Sequence, residues 1–530
     1  MSSPAQQTLP SKPGGKDAAP AAPSQNLRPV EPLPGGMRVL ATVSIALVTA
    51  MTVLDTTIAN VALPTIAGNL GVAPSQGTLV ITFYGVANAI AIPLTGWLAR
   101  RFGEVRVFTL ATFFFVLASL LCGLSHSLLM LIIARIIQGA AAGPLIPLSQ
   151  SLLLTCYPPE KRGLALAMWS MTIVVGPILG PILGGYICDD FSWNWIFFVN
   201  VPLGIFCLLA LRIVLDGRET PVMRAPVDKI GLILLVLGVG SLQLMLDEGK
   251  DHDWFASPLI LGLGVVAAIA LVFFVAWELT EKEPVVDLSL FRHRSFTVGT
   301  ICIFLGFMLY FASVVLMPMM LQTRMGYTAM WAGFTLAPIG IFSLFISPIL
   351  GKNAARLDMR VLASISFVVF ALCFFWRSYF APNMDVSFVM WPQFVQGLAV
   401  ALFFMPLTSL SLNGIPGSDI ASAMSLSSCL RTLGGSIGSS LVMTQWERLE
   451  ALHHVRFAES MTDASFPFVQ AMQGLQGMGM SAMQATAWIN QEVTRQGFLV
   501  GFNELFWAGG WAYCLMAGLV WLAPAPQRRR

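Results

Sequence analysis

The chain has 530 residues, of which 56% are apolar and 11% are charged, whereas a soluble domain carries about 25% charged residues. Its 30 Lys and Arg residues against 27 Asp and Glu residues leave a net charge of +3, which excludes a nucleic-acid-binding surface over the bulk of the chain. Apolar runs of about 20 residues fit bilayer-spanning helices rather than barrel strands. The composition therefore predicts a polytopic all-α membrane protein that contacts lipid.

Residues 1–38 are rich in Pro, Ala and Gly, which predicts a disordered tail. Fourteen apolar segments follow, and an even number puts both termini on one side of the membrane. On that side the predicted segments hold 22 Lys and Arg residues, against 6 on the other side, so the positive-inside rule makes both termini cytoplasmic. The predicted spans are 39–66, 77–98, 105–124, 128–154, 163–187, 195–214, 229–246, 256–277, 296–321, 330–350, 359–378, 387–411, 424–445 and 498–523.

The first and fourth spans each carry a charged residue, Asp55 and Arg135. A charge deep in a bilayer costs about 3 kcal/mol. Asp55 lies about 20 Å from the outer end of its span and Arg135 about 12 Å from the outer end of its own, at 1.5 Å per residue, a difference that an Arg side chain largely covers. Burial favours a protonated carboxyl and a nearby cation favours the ionised form. We expect Asp55 to be a proton site modulated by Arg135; the alternative is a fixed structural ion pair.

Two cytoplasmic loops repeat one motif, GWLARRFGEVRVF at 96–108 and GKNAARLDMRVL at 351–362. Each begins with Gly and places two basic residues in a very short turn. The repeat predicts homologous halves at 39–214 and 296–523, with two inserted helices at 229–278. Arg in a cytoplasmic loop is also expected from topology alone. As gate residues the motif indicates Gly96, Arg101, Gly103, Arg106, Gly351, Arg356 and Arg360.

The fifth span contains glycines every four residues, at Gly176, Gly180 and Gly184, so they share one helix face. Small residues allow another helix to approach closely, and Pro177 and Pro181 bend the helix by removing backbone hydrogen bonds. This pattern favours a hinge and seal, with static packing as the alternative.

Polar and aromatic residues in or near the spans are candidates for lining a substrate cavity. Helix–helix hydrogen bonding or simple packing explains any one of them equally well. These candidates are Asn60, Gln138, Trp169, Tyr310, Phe311, Gln396 and Asn413.

Residues 446–497 form a predicted outer loop, which is longer than two neighbouring helices need. Within it, 481–496 has an amphipathic helical pattern. We expect this loop to dock a partner outside the membrane; the alternative is a passive connection.

The sequence has no GxxxxGK[ST] phosphate-binding motif and no histidines at metal-ligand spacing. It therefore predicts no ATP site, no metal and no cofactor, and favours a transporter driven by the proton gradient over an enzyme.

With these motifs the chain resembles the major facilitator superfamily, in particular its fourteen-helix drug:proton antiporters. The resemblance implies two six-helix bundles plus two inserted helices, and proton-driven efflux of hydrophobic toxic compounds and antibiotics across the bacterial inner membrane. It also implies a periplasmic adaptor protein and an outer-membrane channel as partners. The stretches that carry it are LDTTIANVALP (54–64), GWLARRFGEVR (96–106), RIIQGAAAGP (135–144), GPILGPILGG (176–185) and WNWIFFVNVPLG (193–204).

One position departs from the superfamily's pattern. Its first gate motif usually has Asp at the fifth position, which is Arg100 here, and Glu104 is a candidate substitute. In the second copy, Asp358 replaces the corresponding late Gly. Three other readings stay open: an exporter that works without an adaptor, a proton-coupled importer, and a membrane scaffold that transports nothing.

Overall fold

The computed structural model describes residues 33–222, 228–250, 252–353, 357–382, 384–461 and 465–524. Over these residues the chain forms fourteen long helices, and each coincides with one of the predicted spans. The helices are α1 Gly35–Leu70, α2 Leu79–Phe102, α3 Glu104–Gly123, α4 Leu128–Cys156, α5 Arg162–Asp190, α6 Trp195–Val214, α7 Lys229–Glu248, α8 Pro258–Glu278, α9 Arg294–Arg324, α10 Met330–Asn353, α11 Met359–Arg377, α12 Val386–Ser411, α13 Ile420–Ser460 and α14 Ala482–Leu522.

Twelve of these helices are long and apolar enough to cross a membrane. The other two are α5, with 29 residues, and α13, with 41 residues. Both overlap a segment where the sequence predicts a span, and α13 is rich in Ser, which lowers its mean hydropathy without shortening it. The chain is therefore an integral membrane protein.

Polar side chains fix where several helices begin. Ser127 accepts a hydrogen bond from the Met130 amide at the start of α4, and Asp228 accepts two amide hydrogen bonds at the start of α7. At the start of α14, Ser481 and Gln484 form a reciprocal capping box. Such caps satisfy the amide groups that have no partner within the helix, so the apolar segments begin at defined residues.

The predicted tail at 1–38 is too long at its carboxyl end, because α1 begins at Gly35. Leu33 lies two residues before α1 and is buried. Its amide donates a hydrogen bond to the Cys156 carbonyl at 3.2 Å. The Arg38 guanidinium donates to the Leu33 carbonyl at 2.8 Å. These bonds tie the start of α1 to the end of α4, whereas residues 1–32 lie outside the described part.

The helices form two six-helix bundles, α1–α6 and α9–α14, which meet along four helix pairs. α5 packs against α10 and α12, and α13 packs against α2 and α4. The inserted helices α7 and α8 pack against each other, and α7 also contacts α2 and α13. The insertion therefore lies beside the junction of the two halves. The residue boundaries given above for these parts stay a prediction.

The outer segment, residues 446–497, is largely helical, so the prediction of a loop is wrong for most of its length. α13 continues to Ser460, a short helix spans Phe466–Gly477, and α14 begins at Ala482. The helix predicted at 481–496 is confirmed. A small apolar cluster holds these pieces together: Leu475, Ala485, Ile489 and Val493 are its buried members.

Candidate functional site

A buried carboxylate lies at the centre of the first bundle. Asp55 on α1 accepts a hydrogen bond from Arg135 Nη1 on α4, with 2.5 Å between Nη1 and Oδ2. Its other oxygen, Oδ1, accepts from Gln138 Nε2 at 2.8 Å and from Asn200 Nδ2 on α6 at 3.0 Å. Three donors from two helices thus converge on one carboxylate. The predicted pair Asp55 and Arg135 is thus in direct contact, with Gln138 beside it.

The Arg135 side chain has no exposed surface and is enclosed by aromatic and backbone groups. Its guanidinium lies 4.2 Å from the centre of the Tyr84 ring, and its Nε donates to the Val80 carbonyl at 3.3 Å. Gln138 Oε1 accepts a further bond from Nη1 at 2.8 Å. The pair is therefore sealed from water in this conformation.

Two members of this cluster were missed by sequence reasoning. Asn200 is a polar residue in the apolar run 193–204, so the rule that selected Asn60 and Gln138 applies to it equally well. Ser119 on α3 accepts a hydrogen bond from Gln138 Nε2 at 2.8 Å. A Ser within an apolar span is common and gives no signal of its own.

The glycine face of α5 packs directly on α1 beside the carboxylate. A Cβ on Gly176 would lie 2.3 Å from Val53 Cγ1, and a Cβ on Gly180 would lie 2.0 Å from Thr57 Oγ1. Thr57 Oγ1 also donates to the Gly176 carbonyl at 3.3 Å. Val53 and Thr57 flank Asp55 along the same helix, so α5 sets the position of the proton-site candidate.

The contact continues more loosely towards the end of α5. A Cβ on Gly184 would lie 3.4 Å from Ile58, which is ordinary van der Waals distance. The side chains of Pro177 and Pro181 lie outside the described residues. Close packing of the glycine face is therefore observed, and its action as a hinge stays a prediction.

Glycines of the repeated motif lie where the two halves touch. A Cβ on Gly96 of α2 would lie 2.9 Å from the Ser422 Cα of α13. A Cβ on Gly351 of α10 would lie 2.6 Å from the Leu164 Cα of α5. The two copies of the motif thus make equivalent contacts, each with a helix of the opposite half, and both contacts close the side predicted to be cytoplasmic.

Arg100, the residue that departs from the superfamily's pattern, bridges the halves itself. Its Nη1 donates to Ser422 Oγ at 2.8 Å and its Nη2 donates to the Pro284 carbonyl at 3.1 Å. Glu104 is buried within the first half, where it accepts a hydrogen bond from Ser151 Oγ at 2.6 Å. The suggestion that Glu104 replaces the missing Asp in a gating salt bridge is wrong for this conformation, because its partner is a hydroxyl of its own half.

The other basic residues of the first motif also make contacts within their own half. Arg101 lies 5.5 Å from the Trp97 ring, and Arg106 forms an exposed ion pair with Glu219 at 3.8 Å. Gly103 has a positive φ of 95°, and a Cβ there would collide with the Glu219 carboxylate. Glu219 also accepts the Val105 and Arg106 amide hydrogen bonds. Gly103 is therefore required by both backbone geometry and space.

In the second copy, Arg360 forms an ion pair with Asp358 at 3.0 Å. Its hydrogen bond lowers the pKa of Asp358 below the ordinary value. Arg360 also lies 5.2 Å from the Trp521 ring of α14. Arg356 lies outside the described residues. The late Gly of the motif is thus replaced by a residue that caps α11.

The predicted cavity residues do not come together in one place. Asn60 is exposed on α1, and Asn413 is exposed in the turn after α12 ends at Ser411. An apolar cavity of about 290 Å³ lies between α9, α13 and α14, and none of the seven candidates lines it.

The remaining candidates are packed in the second half or at its border. Tyr310 lies 6.0 Å from the Phe370 ring, and Phe311 stacks on Phe307 at 5.6 Å. Trp169 donates from Nε1 to Ser149 Oγ at 2.8 Å. Their roles in substrate binding stay predictions.

Gln396 takes part in a second buried cluster that the sequence did not reveal. Arg377, the last residue of α11, is buried and donates to the side-chain carbonyls of Gln393, at 2.6 Å, and Gln396. Arg377 precedes Gln396 by 19 residues, and Ser119 precedes Gln138 by the same interval. The two halves therefore build related polar clusters, and the second contains a cation but no carboxylate among its described members. Arg377 lies at the end of the predicted span 359–378, and nothing in the sequence pairs it with Gln393 or Gln396.

A disulfide across the halves tests whether the contact at Gly96 must open. An ideal Cβ on Gly96 lies 3.2 Å from the Ser422 Cβ, close to the separation of about 3.5–4.5 Å in disulfides. We expect the double variant Gly96→Cys, Ser422→Cys, made with Cys514→Ser, to crosslink on mild oxidation and to stop transport until it is reduced. Oxidised single variants are the controls. A crosslinked protein that transports at the uncrosslinked rate would contradict the assignment of this contact to a gate.

The two bundles, their repeated gate contacts and a buried ion pair define a membrane transporter built from two homologous halves. The family model of the Major Facilitator Superfamily matches residues 45–439, so the chain belongs to that superfamily.

Two exporter and resistance proteins are similar to the chain over nearly its whole length. The chain is 54% identical to the multidrug export protein EmrB of Escherichia coli strain K12, over 94% of this chain and 97% of that protein. It is 52% identical to the fatty acid resistance protein FarB of Neisseria gonorrhoeae, over 93% of this chain and 98% of that protein. Among solved structures, the human organic anion transporter MFSD10 matches with a TM-score of 0.58 at 14% identity, covering 91% of this chain and 99% of that one. That last likeness is one of fold.

Proposed function

We propose that this protein exports hydrophobic toxic compounds, antibiotics among them, across the bacterial inner membrane in exchange for protons. The observation that carries the proposal is the buried ion pair between Asp55 and Arg135, at 2.5 Å, on two helices of the first half. High identity to a multidrug exporter over nearly the whole chain supports the substrate class.

In the observed conformation, both gate contacts are closed and Asp55 accepts hydrogen bonds from three donors. We propose that opening of the outer side separates Asp55 from Arg135 and lets water reach it. The carboxyl then takes up a proton, because loss of the cation and of the hydrogen bonds favours the neutral form. Return of Arg135 expels the proton on the cytoplasmic side, so each proton drives one cycle of the two halves.

The membrane potential provides free energy that drives export against a concentration gradient of the substrate. Moving one charge through 100 mV yields about 2.3 kcal/mol, which supports a concentration ratio of about 40-fold. Exchange of one proton for a monovalent cation moves no net charge and gains nothing from the potential. Exchange of a proton for a neutral or anionic compound moves net charge, so this exchange gains free energy from the membrane potential.

The test is transport of a hydrophobic dye by the purified protein in liposomes with an imposed pH gradient. An antiporter moves dye against the direction of proton flow, and collapse of the gradient stops it. Dye movement in the same direction as the protons would instead identify an importer. Dye movement that ignores the gradient would overturn the proposed energy source.

We further propose that the outer segment faces the periplasm and binds an adaptor protein that leads to an outer-membrane channel. Its surface supports this, because large apolar side chains stand exposed: Phe466 is 77% exposed, Met478 79% and Met483 83%. Exposed apolar patches on a soluble face usually mark protein interaction sites. The alternative, a pump that works without an adaptor, requires these side chains to be dispensable.

Variants of this surface distinguish the two possibilities. We expect Met478→Lys with Met483→Lys to prevent copurification of the adaptor while leaving dye transport in liposomes unchanged, because both side chains are exposed in the outer segment. Gln473→Lys with Gln476→Lys, which adds the same two positive charges at exposed polar residues nearby, is the matched control. Full adaptor binding by the double variant would place the interface elsewhere.

A further inference from the structure

A third buried arginine lies at the contact between the two halves. Arg431 is the twelfth residue of α13 and is 7% exposed. Its guanidinium lies 5.4 Å from the centre of the Phe307 ring on α9 and 5.9 Å from the Trp169 ring on α5. Trp169 belongs to the first half and Phe307 to the second, so Arg431 is between aromatic groups of both.

The two rings beside Arg431 are linked by a third aromatic ring. Phe404 on α12 lies 6.3 Å from Trp169 and 6.1 Å from Phe307, measured between ring centres. The indole of Trp169 is held by its hydrogen bond to Ser149. Four helices from two halves thus contribute to one site, and rearrangement of the halves takes it apart.

The charge of Arg431 is not neutralised by the part of the chain that the structure describes. Arg135 has the Asp55 carboxylate, and Arg377 has two glutamine carbonyls. For Arg431, no ion pair and no hydrogen bond to another described residue is found. The contacts it makes are with ring faces, which attract a cation but leave its N–H donors available. A buried cation without a counter-ion is unfavourable, and a guanidinium keeps its charge at every working pH.

We propose that Arg431 is a specificity-determining residue that pairs with the anionic group of a flat aromatic substrate, whose rings pack against Trp169, Phe307 and Phe404. The inference rests on the proposed export function and adds the group that recognises charge. An incoming anion would neutralise a cation that the two halves otherwise bury together. Substrate binding would therefore favour the conformation in which both halves contact the ligand.

The experiment compares two probes with the same ring system. Anilinonaphthalene sulfonate carries a permanent negative charge, and N-phenyl-1-naphthylamine is its neutral counterpart. Because the sulfonate is ionised at every working pH, its binding is independent of proton coupling. Scintillation proximity binding of each radiolabelled probe is measured on the purified protein, and transport is measured separately in liposomes.

Three variants are compared with the unmodified protein. We expect Arg431→Gln to weaken binding of the sulfonate by about 30-fold or more and to leave binding of the neutral probe unchanged. Arg431→Lys should recover part of the loss, because it restores the charge without the planar donor pair. Arg448→Gln removes an exposed arginine from the same helix and should bind both probes normally.

Equal weakening of both probes by Arg431→Gln would make Arg431 a structural residue, and unchanged binding of both would exclude it from the site. Either result overturns the inference. Failure of the export proposal gives a different result: neither probe is moved by the gradient, while the binding difference between the probes is still measurable.

Discussion

Replacement of Asp55 by Asn is expected to reduce proton-driven transport to the rate of protein-free liposomes. Asn is nearly the same size and keeps hydrogen-bonding capacity, but it does not take up and release a proton. It also leaves the Arg135 guanidinium buried without a counter-ion, and breaking a buried pair in this way costs about 3–5 kcal/mol. A loss of transport alone therefore does not separate proton coupling from a structural ion pair.

The double variant Asp55→Asn, Arg135→Gln makes that separation. It removes both charges, so we expect its thermal stability in detergent to recover towards that of the unmodified protein. Transport should stay absent if Asp55 is the proton site, and should recover with stability if the pair is only structural. Glu104→Gln is a matched control, since it neutralises another buried carboxyl whose partner is Ser151 rather than a cation; it should keep gradient-driven transport.

The sequence predicted the helices well because a bilayer imposes both length and composition on each span. It also predicted an interaction between Asp55 and Arg135, even though the two residues were estimated to lie at different depths in the membrane. The structure brings them to 2.5 Å because the glycines of α5 hold α1 close, and because Gly139 of α4 lies against the Tyr84 backbone of α2. Spacing along one helix indicates which face a residue occupies, but not how closely its neighbours approach.

Contacts between distant segments are what the sequence did not predict. Arg100 departs from the superfamily's motif, which usually has Asp at this position, so the motif predicts no partner for it at the gate. Its partners, Ser422 and the Pro284 carbonyl, are 322 and 184 residues away and carry no charge. The helical extensions of α13 and α14 were also missed in part. Hydropathy identifies the apolar residues of a span and not the helix itself. A span predicted from hydropathy therefore ends at the first polar residues, even where the backbone stays helical as far as Ser460.

Two neighbouring glycines of α5 are expected to respond very differently to the same substitution. Gly180→Ala places a methyl group 2.0 Å from Thr57 Oγ1 and 2.5 Å from Thr57 Cβ, whereas a methyl group on Gly185 meets nothing within 4 Å. Thr57 is branched at Cβ and its χ1 is restricted, so the clash is relieved by moving α1. Overpacking of this kind costs about 1–3 kcal/mol, and 1.4 kcal/mol corresponds to a factor of about ten.

We therefore expect Gly180→Ala to lower the rate of dye transport by about tenfold or more, and Gly185→Ala to leave it unchanged. Both substitutions raise helix propensity equally, so propensity cancels in the comparison. The displacement should also reach Asp55, two residues before Thr57, and shift the pH dependence of transport in Gly180→Ala but not in Gly185→Ala. Normal transport with an unchanged pH profile in Gly180→Ala would mean that the contact between α5 and α1 is static packing that tolerates a methyl group. The proposal that this glycine face controls the proton site would then be wrong.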